Sequence, residues 1–226
     1  MNDNIFKRIE QKYILSKSEY KKIQKLINDY FLKDKYYESK IFNIYFDNQN
    51  NDMMINSIEK PIFKKKVRVR KYGNDNKVFL EIKEKYRGMV YKRRIELTDN
   101  EYERYICNNK INDKQIMREI DYYIDYYKLK PHMFLAYDRL SYYAKENSRF
   151  RLTFDSNMRY RFEDLNLKDN GKNKKYFEGD EYIMEVKTVN SLPIWFVNYL
   201  SENKIYPRSF SKAGSIYIKE RGNMYV

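Results

Sequence analysis

Two stretches alternate apolar and charged side chains with a period of two, Val67-Arg68-Val69-Arg70 and Lys77-Val78-Phe79-Leu80-Glu81-Ile82-Lys83. As β-strands they put Val67, Val69, Leu80 and Ile82 on apolar faces and Arg68, Arg70, Glu81 and Lys83 on ionic ones. Residues 72–76, Tyr-Gly-Asn-Asp-Asn, supply the turn of a hairpin between them. The pattern recurs along the chain. Residues 8–15 set Arg8, Glu10 and Lys12 against Ile9 and Tyr13, and residues 88–97 set Lys92 and Arg94 against Arg93. Residues 132–144 carry Tyr137 and Arg139, 149–155 pair Arg149 with Arg151, and 182–187 place Glu185 and Lys187 two apart. Residues 37–47 read as a further strand, apolar on both faces toward its end.

Helices interleave with these strands. Ser16 with Glu19, and Thr98 with Glu101, match the capping box, in which a hydroxyl takes an orphan amide and the acid three residues on reciprocates. They predict helices from 16 to about 31 and from 98 to near Cys107. Apolar spacing at Ile116, Ile120 and Tyr123 predicts a helix within 112–127, closed by Pro131. Residues 53–55 read as one helical turn, and Ser191 caps a helix to Leu200 with Pro193 in its first turn. Residues 163–180, dense in Lys, Asn, Asp and Gly, read as a solvated loop. Residues 208–214 form a basic, hydroxyl-rich turn leading into 215–221. No repeat or linker divides the chain, so one domain over 1–226 is expected.

Composition narrows the partner. Lysine and arginine total 46 against 32 acidic residues, a net charge of +14, which favours an anionic partner. The 25 tyrosines make the core aromatic and partly wet. A single cysteine, Cys107, excludes an internal disulfide framework and a cysteine-cluster zinc site, and its place in a helix predicts a buried, inert thiol. The lone histidine, His132, at a strand start, reads as structural, and no Walker-type loop is present. The first residues carry no apolar signal segment and no run suits a transmembrane helix, so a cytoplasmic chain is expected.

The ionic faces admit two arrangements. An open antiparallel sheet would turn them to solvent. Closed into a barrel of about eight strands, they would point inward, where like charges persist only with water and a bound polyanion. Arginine forks and lysine ammonium groups hold phosphate oxygens, and the few carboxylates on the same face could hold a divalent cation.

In order along the chain, Arg8-Ile-Glu-Gln-Lys12-Tyr13, Arg68-Val-Arg70, Glu81-Ile-Lys83, Lys92-Arg-Arg94, Tyr137-Asp-Arg139, Arg149-Phe-Arg151, Met184-Glu-Val-Lys187 and Ser211-Lys212 resemble the catalytic domain of the vacuolar transporter chaperone (VTC) family. That domain is one of the triphosphate tunnel metalloenzymes, also called CYTH-like, and the resemblance spans about 8–215. It implies an α+β fold, a closed antiparallel eight-stranded β-barrel with flanking helices, that builds polyphosphate from ATP with Mn2+ or Mg2+. By the same resemblance Lys12, Arg68, Arg70, Lys83, Arg139, Arg151 and Lys212 act on the reacting phosphates. Lys92, Tyr137, Arg149, Lys187 and Ser211 join them in holding phosphate, and Glu185 with Glu10 holds the metal. Two positions depart from the pattern: Arg8 stands where tunnel triphosphatases carry a glutamate, and Ser209 where the closing segment often has lysine. The first departure moves the reading from metal-driven hydrolysis toward polyphosphate handling. The implied partners are ATP and inorganic polyphosphate or triphosphate, without nucleic acid, and any membrane coupling belongs to a separate chain. A tunnel triphosphatase and a passive nucleic-acid or polyphosphate binder are the alternative readings, the second weakened by Glu81 and Glu185 among the cations.

Overall fold

The computed structural model describes residues 8–59, 61–87, 89–107, 114–189 and 191–223. The strands are β1 (Arg8–Leu15), β2 (Phe31–Asp47), β3 (Phe63–Tyr72), β4 (Lys77–Tyr86), β5 (Met89–Thr98), β6 (Lys130–Ala144), β7 (Arg151–Arg161), the two-residue β8 (Lys174–Lys175) and β9 (Tyr182–Val189). The helices are α1 (Lys17–Tyr30), α2 (Asp52–Glu59), α3 (Asp99–Ile106), α4 (Gln115–Tyr127), α5 (Ile194–Glu202) and α6 (Lys212–Asn223). This is the α+β class expected. The strands pair in the order β1-β9-β7-β6-β2-β3-β4-β5, with β8 on β7.

That path corrects the expectation of a closed barrel, because among the described residues no ladder joins β5 to β1. β5 shows why its outer edge is poorly suited to pairing. Met89 to Arg94 are six successive exposed residues, and Lys92, Arg93 and Arg94 give the edge the charge that strands use against further pairing.

Two compact units emerge, one of Met1–Lys40, Tyr137–Met158 and Lys175–Phe210, the other of Ile41–Ala136, Arg159–Lys174 and Ser211–Val226. In the first, β9 lies between β1 and β7, and α1 covers its apolar face with Tyr20, Ile23 and Ile27. Both halves of the Ser16–Glu19 capping box are formed, which starts α1 where the sequence places it. Phe31, Phe150, Phe154 and Phe196 complete this core with Tyr13 and Leu15.

In the second unit β2, β3, β4 and β5 form a meander. The β3–β4 turn uses Gly73 at φ +52°, a left-handed conformation that glycine adopts without the Cβ penalty. Val67, Val69, Val78, Leu80, Ile82, Ile95 and Leu97 line one face, under Tyr102 of α3 and Met117 and Ile120 of α4. That face is the apolar side predicted from period two.

Several boundaries move. β2 begins at Phe31, directly after α1, because the mostly polar and exposed residues 32–40 extend the strand without an alternating apolar signature. The single turn expected at 53–55 is the eight-residue α2, and α5 starts at Ile194 with Pro193, not Ser191, at its cap. Asn112 and Gly88, used as boundaries above, lie outside the described residues. Cys107 is exposed rather than buried. It caps α3 five positions beyond buried Tyr102, about 140° round the helix axis. The stretch expected to be a solvated loop is organised by buried Arg161, whose guanidinium donates to the carbonyls of Asp164 (2.9 Å), Asn166 (2.8 Å) and Lys168 (3.0 Å). Among the described residues no helix is long and apolar enough to cross a membrane.

Candidate phosphate-binding site

Register turns the ionic faces into rows. In the β2–β3–β4–β5 meander, Tyr45 lies opposite Arg68, Arg68 opposite Glu81, and Glu81 opposite Arg94. In the next row Lys66 faces Lys83, and Lys83 faces Lys92. Directly opposed like charges destabilise a sheet, on the order of 0.5 kcal/mol per pair. Three lysines in one row are therefore an expense that the fold alone does not require. Lys66 was legible in the sequence, since it stands two residues before Arg68 and so shares the ionic face, although Lys65 breaks the apolar side of the alternation. It belongs with the predicted Lys83 and Lys92.

Glu81 offsets part of this charge. It is fully buried, and it accepts from Arg68 Nε at 2.8 Å and pairs with Lys92 Nζ at 2.5 Å. Burial opposes its ionisation, but Arg68, Arg70 and Lys92 together outweigh burial and hold the carboxyl down to about 2. Arg70, also buried, gives its Nε–H to Asn43 Oδ1 at 2.8 Å. At the start of α6, Ser211 Oγ accepts from Lys66 Nζ at 3.0 Å, and Lys212 is buried beside it in sequence. This unit thus carries Arg68, Arg70, Lys83, Lys92, Ser211 and Lys212 of the expected set, and Lys66–Ser211 joins the strand row to the closing segment.

The other unit carries Lys12, Tyr137, Arg139, Arg149, Arg151, Lys187, Glu10 and Glu185. Lys12 lies opposite Glu185, while Glu10 and Arg151 both lie opposite Lys187, from either side. Arg139 makes a two-pronged pair with fully buried Asp155, Nε to Oδ1 at 2.6 Å and Nη2 to Oδ2 at 2.7 Å. Burial opposes the Arg139 charge, yet Asp155 prevails and keeps the group protonated well beyond the ordinary range. Its guanidinium sits 5.3 Å from the ring of buried Tyr137. Glu185 is buried, 3.0 Å from Lys187 Nζ and 3.7 Å from Arg139 Nη2, while Glu10 pairs with Lys12 at 2.8 Å. Arg151 pairs with Asp34. Arg149 is not on β7; it lies exposed in the preceding turn, because Phe150 folds into the core and the strand starts only at Arg151.

Asn43, Tyr45 and Asp155 escaped the sequence reading. The signal was present as polar atoms at alternate positions of otherwise apolar strands, Asn43 and Tyr45 in Ile-Phe-Asn-Ile-Tyr-Phe and Asp155 at the end of Leu-Thr-Phe-Asp. As to a metal, among the described residues no three His, Cys, Asp or Glu side chains gather to hold one on protein ligands alone. Glu185 and Glu10 sit on one face of neighbouring strands, and a hard cation that keeps waters and phosphate oxygens needs only one or two such carboxylates.

Solved structures share this fold at low identity. A protein of Bacillus halodurans described as a candidate adenylate cyclase aligns over 90% of this chain and 93% of its own, with TM-score 0.58 and 14% identity. A Pyrococcus horikoshii protein aligns over 94% and 99%, with TM-score 0.51 and 13% identity. A candidate adenylyl cyclase of Hippeastrum, described as having a dominant triphosphatase activity, aligns over 90% and 91%, with TM-score 0.50 and 16% identity. No curated protein matches the chain. The VTC domain profile matches residues 7–217, a span that holds every strand of the meander and both sets of basic rows, and the chain belongs to the VTC domain family.

Proposed function

We propose that this chain is a polyphosphate polymerase, transferring the γ-phosphoryl group of ATP to the end of a growing inorganic polyphosphate. The observation that carries the reading is the row Lys66–Lys83–Lys92 beside Arg68 and Arg94, an arrangement whose repulsion a bound polyanion relieves. A terminal phosphate oxygen attacks the γ-phosphorus and ADP leaves, so no side chain need act as nucleophile. Lys66, Lys83 and Lys92 hold phosphate oxygens as point charges, and Arg68 and Arg70 orient them as planar forks. Glu185, with Glu10, would hold Mn2+ or Mg2+, which when bound neutralises charge on the bridging oxygens.

Incubation with ATP and manganese separates the readings. The polymerase yields ADP and an acid-stable phosphate polymer. Free phosphate without polymer would instead make the chain a tunnel triphosphatase, the reading favoured by the activity described for the Hippeastrum protein. Absence of any product would leave a polyanion binder, and competition by oligonucleotide against inorganic triphosphate would then tell nucleic acid from polyphosphate.

A further inference from the structure

We propose that Asn43 and Tyr45 of β2 are positioning residues for the guanidinium groups of Arg70 and Arg68, and that loss of the Tyr45 phenolic proton lowers the affinity of this face for polyphosphate. The inference rests on the function proposed above.

The geometry is one of register. β2 pairs with β3 so that Asn43 lies opposite Arg70 and Tyr45 opposite Arg68, and opposite residues project to the same face. Asn43 is fully buried, and its amide is fixed at both ends: Oδ1 accepts from Arg70 Nε at 2.8 Å and Nδ2 donates to the Leu135 carbonyl at 3.0 Å. The reversed amide would set NH2 against a guanidinium, so the orientation is determined. Tyr45 is 7% exposed, and its hydroxyl oxygen accepts from Arg68 Nη1 at 3.1 Å. Arg68 is thereby held on two sides, by Glu81 at Nε and by Tyr45 at Nη1. Two side chains of a strand that reads as apolar thus set the planes of both arginines.

The Tyr45 phenol is also tuned. Burial raises its pKa, but Arg68, Lys66 and Arg70, all projecting from β3, outweigh burial and bring it down to about 8. Glu81 of β4, and through it Lys92 of β5, also stand beside Arg68. Below this value the hydroxyl is neutral. Above it a phenolate stands beside Glu81 as a second anion on Arg68, in direct competition with phosphate oxygens. By linkage, a polyanion that binds the cations pushes the Tyr45 pKa back up, so its affinity falls as pH rises past about 8. If the bound state keeps the phenol protonated, the loss between pH 7 and pH 9 is about tenfold, since the free group is then about nine-tenths ionised.

The test is calorimetric titration of the full chain with inorganic tripolyphosphate at pH 7 and pH 9, wild type beside Tyr45→Phe. Titration of the ligand itself is common to both proteins. The wild type should lose about tenfold more affinity than the variant over this interval, and parallel profiles would overturn the inference. A second readout needs no variant affinity: tyrosinate absorbance, wild type minus Tyr45→Phe, should show one early-titrating phenol that moves to higher pH when tripolyphosphate saturates the protein. An early step that does not move also overturns it. Asn43→Gln, which keeps a neutral amide acceptor for Arg70, should retain more affinity than Asn43→Leu; equal affinity in the two would remove Asn43 from the positioning role. A wild type that binds no tripolyphosphate at any pH would defeat the function reading itself, and is distinguishable on that ground.

Discussion

Replacing Glu81 by glutamine should weaken the fold and strengthen the binding of phosphate. Glu81 is the buried anion between Arg68 and Lys92, and its carboxyl is held from an ordinary 4.5 down to about 2. At about 1.4 kcal/mol per tenfold change, that displacement corresponds to about 3 kcal/mol of native-state stability at neutral pH. The folded value is depressed, so the contribution is present in full above 4.5 and is lost as pH falls from 4.5 toward 2. For a chain of this size, about 3 kcal/mol corresponds to roughly 6–12 °C in melting temperature. Glu81→Gln should therefore melt that much lower at pH 7, with the gap to wild type closing as the buffer is taken below pH 4.5. The same substitution removes a competitor for Arg68 and Lys92, so tripolyphosphate should bind the variant more tightly and raise its melting temperature by more than it raises the wild type's. Thermal melts at both pH values with and without tripolyphosphate decide the matter. A variant as stable as wild type at pH 7, or one that binds tripolyphosphate less well, would refute the view of Glu81 as the internal counter-ion of a phosphate site.

The lysine row makes the opposite trade: Lys83→Ala should relieve two like-charge pairs, on the order of 1 kcal/mol of repulsion, while weakening tripolyphosphate about tenfold, read by urea unfolding and calorimetry. Asp155→Ala strands the Arg139 charge in the interior and should cost about 3–5 kcal/mol in urea unfolding, with Asp155→Asn milder. Glu185→Gln should keep tripolyphosphate binding without metal while abolishing manganese-dependent turnover of ATP; normal turnover would leave the carboxylate only a partner for Lys187 and Arg139. Ile120→Ala, deep under the meander, should cost about 2–5 kcal/mol of stability yet leave tripolyphosphate affinity unchanged when measured well below its melting temperature.

The sequence by itself determined which face of each strand carries charge, because side chains on a strand alternate whatever the strand pairs with. It also determined where α1 and α3 begin, because a capping box closes within four residues. Order along the chain carried the family as well. What only the tertiary structure decided is who stands opposite whom. Period two places Lys66, Lys83 and Lys92 on ionic faces but is silent on whether they share a row; the turn at Gly73 and the β4–β5 register set that. Likewise Asn43 and Tyr45 read as members of an apolar strand until β2, more than twenty residues away along the chain, meets β3 and gives each arginine its acceptor. Arg161 gathers a segment that reads as solvent because its carbonyl partners lie on irregular backbone with no period to betray them. The edge of β5 belongs to the same class: alternation specifies faces, whereas pairing depends on the neighbour each edge meets, and among the described residues no ladder joins β5 to β1.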